Sequence, residues 1–331
     1  MEIREHSSTI ALPDRRVAVC GDWHGNVAWA RTISRALPRL APDVTTILHL
    51  GDWCMSPVVT DDIFAETNIT RLYVTAGNHD DWGQITPLLD NHPGEAVRVS
   101  ELVWLLPRPA RLTIGGRRVL SLGGAASVDR ESRHAGLTWW PDEVITEQHV
   151  LAAIAGGPAD LMLTHESPAG TPVRRVREIL RTNPWGFPET PRKESALSRE
   201  RVSEVWDAVR PELLAHGHMH APGGGKTEDG RRVASLGRDG QEGNLALLDM
   251  HSLRMGTPTL AVIRRIAGQD EDYVRRANGA AEALYSGVLD GRTPSPGAVQ
   301  DAWDYIEGRR TLDEVIEDVV RRHTRKPAGE Q

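Results

Sequence analysis

From the N-terminus to about residue 250, short apolar and β-branched runs recur. Each gives way at once to a turn rich in glycine and polar side chains. Val17-Ala18-Val19 leads to Asp22, Thr46-Ile47-Leu48 to Asp52, Leu72-Tyr73-Val74 to Asn78, Leu161-Met162-Leu163 to His165, and Leu213-Leu214 to His218. Strands buried on both faces read as continuous runs of this kind. The pattern predicts strands over Arg16–Cys20, Val44–Leu50 and Leu72–Ala76. It also predicts a helix from Asn26 to Leu37, ending near Pro38, and a short helix over Asp61–Thr67. Leu102–Leu105, Arg111–Ile114 and Arg118–Leu122, split by Pro107, Pro109 and Gly115-Gly116, predict antiparallel strands with a hairpin. A helix near Thr146–Ile154, a strand over Asp160–Thr164 and a helix over 199–209, stopped before Pro211, follow. Strands over Arg232–Leu236 and Leu245–Asp249 close the series. Elements in this order imply an α/β fold, with two sheets packed as a sandwich and helices outside.

After Asp249 the period changes. Val274, Ala277, Ala281, Leu284 and Val288 follow a helical stripe, stopped by Asp290-Gly291. Ser295-Pro296 starts a second helix, with Ser as cap and Pro in the first turn, and Gly308 ends it. Thr311-Leu312-Asp313-Glu314 is a capping box that opens a third. Leu312, Val315, Ile316, Val319 and Val320 are expected on its inner face. The division expected is a first domain over 1–253, a connector over 254–269, a small all-α domain over 270–325 and a tail over 326–331.

A length of 331 residues accommodates more than one domain. The net charge of −7 argues against broad nonspecific nucleic-acid binding and leaves nucleic acid only as a substrate. Met1-Glu2-Ile3-Arg4-Glu5-His6 lacks the apolar core of a signal peptide, and no run approaches a membrane span. No membrane partner and cytoplasmic residence are the expectations. Cys20 and Cys54 are too few for a disulfide framework and are expected as reduced core residues.

The turns carry the chemistry. They read Asp22-Trp23-His24, Gly51-Asp52, Gly77-Asn78-His79-Asp80, His165 and Gly217-His218-Met219-His220. Open α/β sheets bind ligands at the carboxyl ends of their strands, so five segments would deliver Asp, Asn and His to one rim. Taken singly, each motif has an ordinary explanation; Gly-Asn-His-Asp, for example, is a natural turn. Five in order, each after a predicted strand, are not what packing alone produces. Carboxylate with imidazole suits first-row divalent ions such as Mn, Fe, Zn or Ni. A carboxylate shared by two ions holds them about 3.5–4 Å apart, and such a pair activates water and clamps a phosphoryl group.

The ordered set D-x-H, G-D, G-N-H-[DE], H and G-H-x-H resembles that of the calcineurin-like metallophosphoesterases, over about residues 14–250. The resemblance implies their four-layer fold, two mixed sheets flanked by helices. It implies two divalent transition-metal ions and hydrolysis of a phosphomonoester or phosphodiester substrate. By the same resemblance Asp22, His24, Asp52 and His220 would hold one ion. Asp52, Asn78, His165 and His218 would hold the other, with Asp52 shared. His79 would protonate the leaving oxygen. The carboxylate that partners this histidine in the family is not identifiable in the sequence, although Asp80 and Asp81 are adjacent.

Two long connections adjoin the motifs. In 123–142, Asp129, Arg130 and Arg133 are candidate phosphate contacts, since Arg presents a bidentate fork. The alternative is a surface loop anchored by Trp139 and Trp140. Residues 171–198, rich in arginine, read either as a substrate-facing cap or as a solvated basic helix. Trp23, Trp53 and Trp82 adjoin the ligands, and packing beneath the site is favoured over stacking a nucleobase. His49, His134 and His216 receive no role.

The C-terminal stretch resembles the small VbhA-type antitoxins that inhibit Fic-domain AMP-transferases. Their inhibitory helix carries [ST]-x-x-x-E-[GN], and Ser286-Gly287-Val288-Leu289-Asp290-Gly291 fits it with Asp290 in place of Glu. Ser286, Asp290 and Gly291 are then the inhibitory motif, and a Fic enzyme is the implied partner of residues 270–325. Three readings stand: an active phosphoesterase with a regulatory tail, an antitoxin carried by a phosphoesterase fold, and a silent scaffold. The full ligand set disfavours the last.

Overall fold

A computed structural model describes residues 1, 3–269, 271–289 and 294–324. The chain divides into two compact units, Met1–Ala267 and Gly268–Gln331.

The first unit runs β1 (Glu5–Ser7), β2 (Ile10–Leu12), β3 (Arg16–Cys20), α1 (Val27–Leu40), β4 (Thr46–His49), α2 (Pro57–Phe64) and β5 (Arg71–Val74). Then come α3 (Trp82–Asp90), β6 (Ala96–Arg98), β7 (Val103–Leu105), β8 (Ala110–Ile114), β9 (Arg117–Leu122) and α4 (Glu147–Ala155). Next are β10 (Leu161–Thr164), α5 (Arg174–Thr182), α6 (Glu189–Val209), β11 (Leu213–His216), β12 (Gly223–Lys226) and β13 (Arg232–Ser235). It closes with β14 (Ala246–Asp249), β15 (Arg254–Gly256) and α7 (Leu260–Ile266).

Among the described residues the strands form two mixed sheets, ordered β1-β6-β7-β5-β4-β3-β14-β15 and β12-β13-β11-β10-β9-β8-β2. The centres are parallel: β3, β4, β5 and β7 in one sheet, β9, β10, β11 and β13 in the other. β8 and β9 form the expected hairpin across Gly115-Gly116.

Alternation along each strand builds the layers, because successive side chains point to opposite faces. Val17, Val19, Leu48 and Leu50 pack with Leu112, Leu161, Leu163 and Ala215 as the core between the sheets. Ala18, Cys20, Ile47, Leu72 and Val74 face the other way, onto Trp29, Ile33 and Leu37 of α1 and Ile263 of α7. Met162, Leu214 and Val233 meet Val150 of α4 and Val202, Val205 and Trp206 of α6. Helices, sheet, sheet and helices make the four layers. Losing one buried leucine here would cost about 2–5 kcal/mol.

Several elements differ from expectation. α1 runs on through Pro38, whose ring falls in the last turn, where only one intrahelical donor is lost. α6 begins at Glu189, ten residues before the predicted start, so residues 171–198 hold α5 and half of α6. The stretch 254–269 holds β15 and α7, whose Leu260, Ile263 and Ile266 share one helical face. Ile263 is buried in the outer core, so the compact unit extends to Ala267. Cys20 is buried but Cys54 is exposed, its thiol donating to the His79 carbonyl at 3.2 Å. No described helix is long and apolar enough to cross a membrane.

The second unit is helical: α8 (Glu271–Leu289), α9 (Pro296–Ile306) and α10 (Leu312–Thr324), with α9 packed on both neighbours. Ser295 caps α9, its Oγ accepting from Ala298 N–H at 3.2 Å. Thr311 and Glu314 form the capping box of α10. Trp303 and Ile306 are buried. Leu312, Ile316, Val319 and Val320, expected on an inner face, are exposed. α10 is held to α9 largely by charge: Arg310 pairs with Asp301 at 3.0 Å, and Arg322 with the same carboxylate.

Candidate metal centre

Five turns leave the carboxyl ends of β3, β4, β5, β10 and β11. Since β3, β4 and β5 are neighbours in one sheet, and β10 and β11 in the other, the turns converge on one rim. The backbone there is contorted. Asp22, His24, Asp52, His218 and His220 all lie in the left-handed region, at φ between 47° and 64°. Such conformations cost roughly 1–3 kcal/mol each and persist where the surroundings impose them. The glycines of the motifs have a steric reason. A Cβ on Gly51 would stand 2.4 Å from His165 Nδ1, and one on Gly77 2.3 Å from Asp52 Oδ1.

Asp52 stands at the middle. Its Oδ1 lies 3.3 Å from His165 Nε2 and its Oδ2 3.4 Å from His24 Nε2. Asp22, His24 and His220 bring donor atoms within 4.8 Å of one another, and so do Asp22, Asp52 and His165. Asp22, expected in one ligand set, therefore borders both. Asn78 Oδ1 is 3.0 Å from His165 Nε2. The His218 ring lies 5.0 Å from that of His165, and the His218 backbone N–H donates to Asp22 at 3.0 Å. All seven predicted ligands meet at the rim.

The surroundings orient the rings. His165 Nδ1 bonds the Leu50 carbonyl at 2.6 Å, which leaves Nε2 facing Asp52. Asp239 lies 3.5 Å from His24 Nδ1 and accepts from Asn26 Nδ2 at 2.6 Å. Asp80 is buried and accepts from the backbone N–H groups of Asp52 (3.0 Å), Gly77 (2.7 Å) and Cys54 (2.9 Å), tying two turns together. Asn244 Oδ1 accepts from both Trp23 and Trp29, while its Nδ2 donates to the Gly21 and Gly237 carbonyls. Trp82 donates to the Gly77 carbonyl at 2.8 Å. Trp23, Trp53 and Trp82 are all buried, so they pack beneath the rim rather than offer a face to a base.

The charges fit a cation. Burial opposes ionisation of Asp52, but His165, His79 and His24 outweigh it and hold the carboxyl well below its usual range. Burial also opposes charge on His165, yet Asp52 and Asp22 push it up to about 10. Protons on the rings thus stand where positive ions would. Among the described residues the buried Asp52 Oδ2 accepts no hydrogen bond. Carboxylate, amide and imidazole donors suit a first-row divalent ion.

His79 stands beside this cluster. Its N–H donates to Asp52 Oδ1 at 2.8 Å, and its Nε2 faces Asp129 Oδ2 at 3.7 Å. Asp129, a candidate phosphate contact in the sequence, is the carboxylate that faces His79, whereas Asp80 braces backbone. Burial lowers the ring to about 4, with Asp52 and Asp129 opposing and Arg133 adding to the fall. Arg133 is buried, donates to Ser127 Oγ at 2.6 Å and lies 3.7 Å from Asp129. Ser127 Oγ also accepts from Asn78 Nδ2 (3.0 Å) and donates to Glu143 (2.8 Å). One hydroxyl thus links Asn78 to the pair Glu143–Arg133. Arg130 is paired with Glu194 on α6. Neither guanidinium is presented as a free fork.

His49 and His216 are buried and held neutral, pushed down to about 3 and about 4 by burial. Ser286 is exposed on α8, while Asp290 and Gly291 lie outside the described residues.

The calcineurin-like phosphoesterase family matches residues 15–222, more than half of the chain. This chain belongs to the calcineurin-like phosphoesterase family. Members of that family are mostly metal-dependent hydrolases, typically with two ions. No curated protein matches by sequence. Solved structures similar to it include a dimetal phosphatase from Danio rerio, at 10% identity and a TM-score of 0.48, over 75% of this chain and 97% of that one. Another is the protein TT1561 of Thermus thermophilus, at 14% identity and 0.44, over 74% and 99%. A 5′-nucleotidase from Candida albicans aligns at 12% identity and 0.42, over 91% and 60%. At these scores the likeness bears on neither substrate nor mechanism.

Proposed function

We propose that the protein hydrolyses phosphoesters, mono- or diester, with two divalent transition ions. Asp22, His24, Asp52 and His220 would hold one, and Asp52, Asn78, His165 and His218 the other. The observation that carries this is Asp52: buried, held ionised, and flanked by His24 on one oxygen and His165 on the other. Bound ions would polarise the phosphoryl oxygens and lower the pKa of a water. The chain's own residues do the rest. Asp129 orients the His79 ring through Nε2. In the free protein burial keeps that ring neutral. The negative phosphoryl group of a substrate favours its imidazolium, so the proton for the leaving oxygen is stabilised when substrate is seated. Arg133, Ser127 and Glu143 hold Asn78 and Asp129 in place.

The test uses chelator-stripped full-length protein, reloaded with Mn or Zn and offered a panel of phosphomonoesters and phosphodiesters. Asp52→Asn is expected to keep its circular dichroism spectrum, lose bound metal and lose turnover. Metal binding that survives this change intact would refute the assignment.

The antitoxin reading of residues 270–325 rests on the sequence resemblance alone, since the family match ends at residue 222. Co-expression with a Fic enzyme tests it; undiminished AMP transfer leaves a docking tail in its place.

A further inference from the structure

Away from the rim, one other group of side chains converges among the described residues. His6, His92 and Glu95 bring donor atoms within 4.8 Å of one another. His6 Nδ1 lies 2.8 Å from Glu95 Oε2, and His92 Nδ1 lies 3.5 Å from the same oxygen. The two imidazole rings stand 4.4 Å apart, centroid to centroid.

Backbone fixes all three. His6 is the middle residue of β1, opposite Val97 of β6, and Ser7 is opposite Ala96, the residue after Glu95. His92 and Glu95 lie in the turn between α3 and β6. His92 N–H bonds the Leu89 carbonyl at 3.1 Å, and Glu95 N–H bonds the His92 carbonyl at 3.0 Å. Gly94, at φ 76°, supplies the left-handed step. Two segments far apart in sequence are thus held in register with their donors facing one point, which is what a preformed ion site requires.

Hydrogen bonding alone accounts poorly for the arrangement. Two ring nitrogens share one carboxylate oxygen, which cannot lie at its best hydrogen-bond distance from both, the second nitrogen standing at 3.5 Å. One cation takes both lone pairs and the carboxylate at once. Around tetrahedral zinc, donors at about 2.0–2.2 Å stand about 3.4 Å from each other. The His92–Glu95 separation already matches, and His6 needs to withdraw by about 0.6 Å.

We propose that His6, His92 and Glu95 form a third metal site, one that takes zinc. Three protein ligands leave the fourth position to water at this half-exposed surface. The ion would clip the three-residue edge strand β1 to the turn after α3.

The test titrates stripped full-length protein with Zn²⁺, counts the zinc retained after desalting and follows thermal melting. His92→Ala and Glu95→Gln should each bind one equivalent fewer than the natural chain, with affinity at that step falling about tenfold or more. Their turnover with the rim loaded should be unchanged. Zinc should raise the melting temperature of the natural chain more than that of either variant. Asp52→Asn, which removes the rim ions, should still retain one equivalent, and this arm separates failure here from failure of the rim assignment. Equal zinc counts in the natural chain and both variants would overturn the proposal, as would Asp52→Asn protein that retains none.

Discussion

Asp80 and Asp301 are both carboxylates that join separate pieces of chain, but the joints differ. Asp80 is buried and receives three backbone N–H groups from two strand-end turns. Asp301, also buried, receives the ends of two long side chains, Arg310 and Arg322, which reach out to solvent. Backbone donors are already fixed by the strands, so little entropy is lost in aiming them, and no water replaces the acceptor if it is removed. Arginine ends must be immobilised, and solvent competes for them. The rim is therefore over-determined, whereas α10 is tethered loosely, with its apolar stripe uncovered. Polar contacts define geometry most sharply where solvent is excluded and one partner is backbone.

The largest effect expected falls on the reaction. His79→Ala should slow turnover by about 10²–10⁴-fold while leaving bound metal unchanged. The loss should shrink with substrates whose leaving groups need no proton. An equal loss across leaving groups would make His79 structural, a brace like Asp80. Next in size is stability. Asp80→Ala strands two buried donors and one half-buried donor and should cost about 3 kcal/mol in urea unfolding. A cost near zero would erase the contrast with the helical unit.

Glu143 gives a pH arm. Burial pushes it from 4.5 up to about 7, against the pull of Ser127 and Arg133. The folded protein therefore holds this proton more tightly than the unfolded chain does. Its stabilising contribution is complete below about 4.5 and is lost as pH rises through about 7, a change of about 3 kcal/mol at most. Glu143→Gln should flatten that slope in unfolding curves taken between those values. An unchanged slope would assign it to other groups. The smallest effect belongs to the tail: Arg310→Ala should cost about 1 kcal/mol or less and leave turnover untouched. A loss of several kcal/mol would show that α10 is as firmly seated as the rim.

Legibility follows the same division. The candidate ligands can be read from sequence because each motif begins two or three residues beyond an apolar run. The braces cannot. Asn244 reaches Gly21 across 223 positions and Asp239 reaches Asn26 across 213, and neither belongs to a local period. Asp129 stands out in the sequence, but its partner His79 is visible only once β5 and the turn after β9 are side by side. α3 escapes the periodic pattern because Gly83 and Pro87 interrupt it. β12, Gly223-Gly224-Gly225-Lys226, has the composition of a loop. A side chain at Gly225 would stand 2.5 Å from the Pro172 backbone, so crowding, not flexibility, accounts for that glycine. The helix caps at Ser295 and Thr311 are legible for the opposite reason, since all their partners lie within three residues.

The left-handed turns at Asp22, His24, Asp52, His218 and His220 restrict the vocabulary open to these positions. Aspartate, asparagine and histidine are the non-glycine residues that tolerate that backbone best. They are also the residues whose short polar arms bind divalent ions. At most sites a glutamate could stand in for an aspartate as a donor, and at most turns a glycine could stand in for either. Here each substitute meets one demand and fails the other. Glycine relieves the backbone and gives up the donor, while glutamate keeps a donor and strains the conformation. Random mutagenesis with selection for metal retention should therefore return only the other members of this small group at these five positions, whereas at Asn78 and His165, where the backbone makes no such demand, longer donor side chains such as glutamate and glutamine should be recovered as well.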